Sequence, residues 1–182
     1  MKDSTKKEIY SWIKSIAFAL MIVFICRQFL FEPSTVFGES MAPTFEDKDK
    51  VMVNKITKIK RFDIIVFDAP DVDDSYYIKR VIGLPGDQIE MKNDVLYIND
   101  EEMEEPYLTE NKEDSPFPML TENFSLEDKT GKSKVPEDML FVMGDNRLVS
   151  RDSRAFGFIP LDSVVGEVQF RYYPLQHIGI PE

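Results

Sequence analysis

The sequence holds a single histidine, His177, and a single cysteine, Cys26, among its 182 residues. One cysteine excludes a disulfide within the chain, and one histidine with one cysteine cannot supply a Cys/His metal site. The carboxylates show no ligand-like spacing, and the chain has no glycine-rich phosphate loop. A Ser-His-Asp triad would depend on His177, a tail residue that we expect at the surface. We therefore predict no metal, no cofactor and no catalytic histidine.

Positive charge is outnumbered by negative charge, with 22 Lys and Arg against 33 Asp and Glu. The formal net charge of −11 makes nucleic acid an unsuitable partner, because phosphate binding requires clustered cations. The imbalance is concentrated between Asn99 and Asp128, where eleven acidic residues face one basic residue, Lys112. Such a run is typical of a solvated surface face, and the sequence leaves its role open.

A long apolar run occurs once, near the N-terminus. Residues 16–26 are apolar without a break, and with both flanks the segment 12–31 reaches about 20 residues, the length that crosses a bilayer as a helix. Lys14 and Arg27 lie near its ends, where long stems can reach the interface. The run has no polar stripe, which disfavours a buried core helix.

A cleavable signal peptide is the other reading of this segment. Ala17 and Ala19 have the spacing of a cleavage site, but they lie inside the apolar run, and no such pair follows Cys26. We therefore predict an uncleaved, single-pass anchor. Four lysines precede the run and only Arg27 closely follows it. The positive-inside rule then places residues 1–11 in the cytoplasm, residues 12–31 in the membrane and residues 32–182 outside.

After residue 31 the sequence changes to short β-prone runs separated by turn signals. The runs are VMV at 51–53, IIVF at 64–67, YYI at 76–78, VLYI at 95–98, LFVM at 140–143 and VQF at 168–170. Long helical periodicity is absent from this part of the sequence. We predict a mostly β fold: an N-terminal transmembrane helix followed by an antiparallel β domain. A polar, acidic, loop-rich insertion is predicted at about 99–134, which contains three prolines.

Without a histidine, a nucleophile would need another base. A lysine can serve once burial lowers its pKa from about 10.4 toward 7–8. Lys79 lies in the apolar run YYIKRVI, where Tyr77 and Val81 share its face of a strand. A lysine exposed at a strand edge fits the same pattern. Ser40, in GESMAPT at 38–44, follows a glycine that leaves room for a substrate backbone, but an ordinary Ser/Pro turn fits equally well.

Several motifs run in order along the whole chain. They are GESMAPT (38–44), DKVMVNK (49–55), FDIIVF (62–67), YIKRVIGLPGD (77–87), VP (135–136), FVMGDNR (141–147) and SRDSR (150–154). Together with the N-terminal anchor, they resemble the bacterial type I signal peptidases, in the short single-span form typical of Gram-positive bacteria. The resemblance implies a serine endopeptidase with a Ser-Lys dyad on a β fold.

The resemblance also implies roles for particular residues. Ser40 would attack the scissile carbonyl, neutral Lys79 would take its proton, and Ser150 would hydrogen-bond and orient the lysine. The supporting residues would be Asp145, Asp152 and Arg154. The Ser40 backbone N–H would supply most of the oxyanion binding, with the Gly38 backbone as a second contributor. Some relatives carry a serine two residues before the nucleophile, but Gly38 stands there in this chain. Phe62 and Phe45 also replace residues common in the family, away from the chemistry.

The implied substrates are signal peptides of exported preproteins, cut after small residues in an Ala-X-Ala pattern as they emerge near the secretion translocon. A short link between residues 31 and 40 would hold the site at the bilayer surface, and we expect Phe37, Met41 and Phe45 to face lipid. Two other classes are weighed. A membrane-anchored binding module would lack Ser40 or Lys79, and a self-cleaving repressor would carry a DNA-binding helical domain instead of an anchor.

Overall fold

The computed structural model describes residues 2–181, without the side chains of residues 2–5 and 26. Helix α1, Lys2–Phe29, is separated by one residue from strand β1, Phe31–Thr35. The part Lys6–Phe29 is long and apolar enough to cross a membrane, and none of its apolar window is buried inside the protein. The predicted anchor at 12–31 is therefore a helix up to Phe29. Predictions that concern Met1, Glu182 or the Cys26 side chain lie outside the described residues.

Seven antiparallel strands form the larger sheet: Phe31–Thr35 (β1), Lys50–Asn54 (β2), Ile64–Asp68 (β3), Tyr76–Gly83 (β4), Met139–Met143 (β9), Ile159–Pro160 (β10) and Val164–Tyr173 (β11). Their order in the sheet is β1-β2-β11-β3-β4-β9-β10. Strand β4 is buried from Ile78 onward. Its β-branched residues suit a position between β3 and β9.

A smaller sheet has the order β7-β6-β5-β8. Its strands are β5 (Ile89–Lys92), β6 (Val95–Ile98), β7 (Glu101–Met103) and β8 (Phe124–Ser125). The β5–β6 turn uses Asn93 and Asp94, both with positive φ, and the β6–β7 turn uses Asn99 and Asp100 in the same way. Asn and Asp tolerate this left-handed conformation, which two-residue hairpin turns require.

The segment 99–134 has more regular structure than the loop-rich insertion that we predict. It contributes β7 and β8 to the smaller sheet. It also contains the helices η1 (Pro106–Leu108), α2 (Thr109–Glu113) and α3 (Leu126–Thr130). Ser125 and Asp128 form a capping box at the start of α3. The remaining helices are α4 (Ser153–Phe156), η2 (Leu161–Ser163) and η3 (Leu175–His177).

One core cluster lies directly beneath the loop that carries Ser40. Met41 and Phe45 from this loop pack there with Val36, Val51 and other buried strand residues. Both side chains are fully buried, so the expectation that Met41 and Phe45 face lipid is wrong. They bury apolar surface inside the protein, and in doing so they attach the loop to the sheet. Phe37, in contrast, is 76 % exposed.

Candidate active site

Ser40 lies in a tight turn between β1 and β2. Gly38 has a positive φ of 79°, a conformation that glycine adopts without strain, and its N–H donates to Asp47 Oδ1 over 3.0 Å. The Ala42 N–H donates to the Glu39 carbonyl across the turn, at 3.1 Å. The Ser40 carbonyl in turn accepts the Asn146 N–H at 3.0 Å. The serine is thus fixed by its own turn and by the loop after β9.

Lys79 reaches Ser40 from strand β4. Its Nζ lies 2.6 Å from Ser40 Oγ and donates to the Ile78 carbonyl at 2.9 Å. The side chain is buried, with the residue 3 % exposed, and the ring of Tyr77 lies 5.3 Å from Nζ. The structure thus places these two residues side by side, although 39 positions of chain separate them.

Burial changes the acidity of this amine. Desolvation lowers the pKa of Lys79 from 10.5 to about 8, although the negative charges of Asp152 and Asp145 act to raise it. A substantial fraction of Lys79 is therefore neutral near pH 8, and a neutral amine can accept a proton from a hydroxyl at 2.6 Å.

Asp145 joins the turn of Ser40 to strand β4. Its carboxylate accepts hydrogen bonds from Nε and Nη2 of Arg80 at 2.9 and 2.6 Å, and from Oγ1 of Thr44 at 2.6 Å. Arg80 and Asp145 are both buried. Paired, bidentate geometry is what makes two buried charges tolerable. Asp145 thereby attaches the loop after β9 both to the Ser40 turn and to strand β4.

Asp152 stands behind this loop and is fully buried. It accepts the Gly144 N–H at 3.0 Å and two hydrogen bonds from Arg154, each at 2.8 Å, and it caps helix α4. Burial acts to raise the pKa of Asp152. The hydrogen bonds and charge of Arg154 and the Gly144 N–H outweigh this effect and hold the pKa below its ordinary value. Asp152 is therefore a charged residue near Lys79.

A groove of about 660 Å³ runs past Ser40 and Lys79. One wall is the first half of β4, and the other is the end of β1 with the turn that follows it. Strand β9 pairs with β4 only from Arg80 onward, so among the strands of residues 2–181 one edge of the preceding half of β4 has no partner. An extended peptide can add to such an edge. Apolar side chains of Val36, Val51, Val66 and Ile78 line the groove.

Comparison with known proteins shows the family to which the chain belongs. The model of the family described as signal peptidase, peptidase S26, matches residues 9–173. The chain belongs to the signal peptidase family, peptidase S26. It is accordingly a serine peptidase, as the resemblance of its motifs implies.

Individual members of the signal peptidase family are similar over most of the chain. A signal peptidase I of Bacillus caldolyticus is 48 % identical over 165 residues, covering 88 % of this chain and 90 % of the relative. A signal peptidase IB of Staphylococcus aureus (strain COL) is 46 % identical over 177 residues, covering 93 % and 92 %. The crystal structure of a signal peptidase I from Enterococcus faecalis V583 matches with a TM-score of 0.59 and 45 % identity, covering 62 % of this chain and 97 % of the other.

One expected contact of the signal peptidase site is not formed. Ser150 Oγ is buried but has no hydrogen-bond partner of normal geometry in the described part of the chain, and the second hydrogen bond of Lys79 Nζ goes to the Ile78 carbonyl instead. Ser150 does lie at the site, because its side chain is packed against Gly144, which also abuts the Ser40 carbonyl. Its predicted role in orienting the lysine stays a prediction.

The structure bears on one part of the oxyanion prediction. The Gly38 N–H already donates to Asp47 Oδ1, and the role of the Ser40 N–H stays a prediction. No cluster of His, Cys, Asp and Glu that could hold a metal occurs among the residues described.

Sequence reasoning missed a further set of residues that surround the site. Thr44 binds Asp145, and Asn111 binds backbone carbonyls of two site loops. Arg147 is buried and bound by Glu105, and Tyr107 stacks on Arg80 with 3.8 Å between Cζ and the ring centre.

Only some of these residues could have been found from the sequence. Thr44 and Arg147 lie inside the motif blocks, which was an available signal. Asn111, Glu105 and Tyr107 lie in the acidic segment, whose composition indicates only a solvated face.

Proposed function

We propose that this chain is a membrane-anchored endopeptidase that removes signal peptides from exported preproteins, with Ser40 as nucleophile and Lys79 as general base. The observation that carries the proposal is the distance of 2.6 Å between Lys79 Nζ and Ser40 Oγ at a buried amine. The signal peptidase names of the relatives support the substrate class.

The proposed reaction has two halves. Neutral Lys79 takes the Ser40 proton as Oγ attacks the scissile carbonyl carbon, and the oxyanion forms beside the Ser40 N–H. The tetrahedral adduct collapses, Lys79 gives its proton to the leaving amine, and the mature protein departs with a new N-terminus. The signal peptide is then held as an ester on Ser40. Water, deprotonated by Lys79, hydrolyses this ester, and the proton returns to Ser40.

Asp145, Asp152 and Arg154 are proposed as supporting residues. Asp145 holds the Ser40 turn to β4 through Thr44 and Arg80, and the Asp152–Arg154 pair holds the Gly144 backbone. Ser150 is proposed to orient the amine once substrate fills the groove. None of these residues exchanges a proton with substrate in this scheme.

The groove supports the proposed preference for small residues at −1 and −3. An extended peptide on the open edge of β4 directs alternate side chains to the same wall. That wall is apolar and already occupied by branched side chains such as Val66 and Ile78, which suits alanine. Replacing alanine by phenylalanine at −1 of a preprotein should reduce kcat/KM by about 100-fold or more, because the pocket cannot expand without strain.

The membrane position is proposed from helix α1. Residues 12–31 would act as a single-pass anchor with residues 1–11 in the cytoplasm, and residues 32–182, with the insertion at about 99–134, would lie outside. The bilayer and the nearby translocon would deliver the substrate. A reagent that labels cysteine but does not cross membranes tests this orientation: K112C should react in intact cells and K6C only after lysis. The reverse pattern would contradict it.

The decisive experiment assays full-length protein in detergent on a preprotein whose signal peptide ends in Ala-X-Ala. Ser40→Ala and Lys79→Ala should lose at least about 1,000-fold in kcat, because nucleophile and base act as a unit. Lys132→Ala and Ser133→Ala, at exposed positions of one loop, serve as matched controls and should retain wild-type rates. Rapid cleavage by either site variant would overturn the mechanism. A wild-type chain that binds the preprotein without cutting it would favour the binding-module alternative.

A further inference from the structure

The acidic segment, Asn99 to Asp128, contributes one side-chain amide to the site, that of Asn111. Asn111 lies in helix α2, and its Nδ2 donates to the Ala42 carbonyl at 3.0 Å and to the Asp145 carbonyl at 2.9 Å. Ala42 is two residues after Ser40 in the same turn. Asp145 belongs to the loop after β9, 34 positions beyond Asn111. A single side chain thus spans two separate loops that together position the nucleophile.

The chemistry of this contact requires an amide. Both partners are carbonyl oxygens, which only accept hydrogen bonds. The NH₂ end of asparagine supplies one hydrogen to each, whereas a carboxylate of the same shape would place an oxygen against two oxygens. The contact is therefore specific for a donor and is not satisfied by volume alone.

Helix α2 is held firmly enough to make the contact useful. Before it, Glu105 and Tyr107 bind Arg147, and the ring of Tyr107 stacks on Arg80. Within it, Lys112 Nζ donates to the Asp94 carbonyl of the β5–β6 turn at 3.1 Å. The segment therefore contacts the loop after β9 at two points, through Glu105 and Tyr107 at Arg147 and through Asn111 at the Asp145 carbonyl.

We propose that Asn111 is a positioning residue, through which the acidic segment fixes the Ser40 turn against the Asp145 loop in the attacking geometry. This inference rests on the proposed Ser40–Lys79 mechanism. Asn111 does not touch the reacting atoms, and it is not among the residues that line the groove. Its loss should therefore slow the chemical step and leave substrate binding nearly unchanged.

The test compares Asn111→Asp with Asn111→Ala in the full-length chain in detergent, using single-turnover cleavage of an Ala-X-Ala preprotein. Asn111→Ala admits water, which can donate to the two carbonyls, so we expect a fall of about 3- to 10-fold. Asn111→Asp repels both carbonyls and should fall by about 10- to 100-fold, since small displacements at a reacting centre cost this much. KM should stay within about twofold of wild type in both variants.

The order of the two variants separates positioning from space filling. A merely structural role predicts that the isosteric Asn111→Asp resembles wild type and that Asn111→Ala is worse. Rates are expressed per folded protein, from thermal unfolding of the same samples, and Glu113→Gln on the exposed side of α2 is the control. A rate for Asn111→Asp equal to wild type, or above that of Asn111→Ala, overturns the inference. Ser40→Ala is run alongside: an active Ser40→Ala would refute the proposed mechanism itself, whereas an inactive one with a fast Asn111→Asp refutes only the role of Asn111.

Discussion

Arg80 and Asp145 form a buried, bidentate ion pair, and Arg80 is the residue next to Lys79 in the sequence. Arg80 follows Lys79 in β4, so the two side chains leave the strand on opposite faces. The Arg80 side binds Asp145 and, through it, Thr44, while the Lys79 side meets Ser40. The same strand therefore supplies the proposed base on one face and the attachment of the nucleophile turn on the other.

The depressed pKa of Lys79 predicts the pH dependence of cleavage. The amine must be neutral to act, and with a pKa of about 8 its neutral fraction falls about tenfold for each pH unit below that value. We expect kcat/KM to rise with unit slope from pH 6 and to level off above about pH 8. The acidic limb of the kcat profile should lie at lower pH than that of kcat/KM, because bound substrate removes further water from the Lys79 amine and lowers its pKa.

Thermal unfolding measured across the same pH range is the control for that profile, since it shows that the protein stays folded at pH 6. A rate that is constant between pH 6 and pH 8 would contradict the assignment of Lys79 as base.

The charge of Asp152 opposes the effect of desolvation on the pKa of Lys79. Removing that charge should therefore change the pH profile of kcat/KM. The charge of Asp152 raises the pKa of Lys79, so Asp152→Asn should lower that pKa and move the acidic limb of kcat/KM to lower pH. The plateau rate should fall, because a less basic amine is a weaker proton acceptor. Loss of one partner of the buried Asp152–Arg154 pair should also lower the free energy of unfolding by about 3 kcal/mol. Asp162→Asn, at an exposed position, should change neither quantity, and a limb that moves to higher pH would disprove the electrostatic role.

Gly144 should tolerate no side chain. A Cβ there would overlap Ser150 Oγ and the Ser40 carbonyl oxygen, and the latter is backbone of the nucleophile turn. We expect Gly144→Ala to lose about 100-fold in kcat through displacement of Ser40, and about 1–3 kcal/mol of stability through overpacking. Gly179→Ala is the matched control, because nothing lies within 4 Å of the added Cβ. Equal activity of the two variants would show that this close approach is unimportant.

The buried pair of Arg147 and Glu105 should behave as a coupled unit. Their side chains are 1 % and 3 % exposed, so Glu105→Gln or Arg147→Met alone leaves a charge buried without its counter-charge, at a cost of about 3–5 kcal/mol. The double variant removes both charges, and its loss in unfolding free energy should be clearly smaller than the sum of the two single losses. Urea titration of the four proteins in the same detergent measures this, and additive losses would argue against the coupling.

Much of the fold follows from local sequence. The apolar run predicts helix α1, and each β-prone run falls within a strand, as IIVF does in β3 and VLYI in β6. The mostly β, antiparallel class is confirmed. Strand β1 was missed because FEPST contains proline and few apolar residues, a composition that only an edge strand accepts. The short strands β7 and β8 were missed because two or three residues show no periodicity.

Some residues of the site could be predicted from the sequence, and others could not. Ser40 and Lys79 could be proposed from their motif blocks, but the apolar neighbours of Lys79 left open whether it is buried or exposed at a strand edge, and only the structure shows that it is buried. The burial of Met41 and Phe45 could not be predicted from a turn-like sequence, since it depends on β2 and β3 passing beneath the turn. Asn111 could not be predicted either: its partners, Ala42 and Asp145, are 69 and 34 positions away, and polar composition carries no information on such a distance.

The alternation along β4 also limits which insertions and deletions the gene can tolerate. Lys79 lies opposite Ile65 and Arg80 opposite Ile64 in the β3–β4 hairpin, and the connecting loop is closed by a hydrogen bond from Ala69 N to the Ser75 carbonyl at 2.8 Å. Deletion of one residue from β4 before Lys79 would shift the strand by one position, so that Lys79 and Arg80 exchange faces of the sheet. Arg80 would then point at Ser40, and an arginine is too basic to lose its proton and act as a base. A change of length at the loop tip, beyond that hydrogen bond, leaves both side chains where they are.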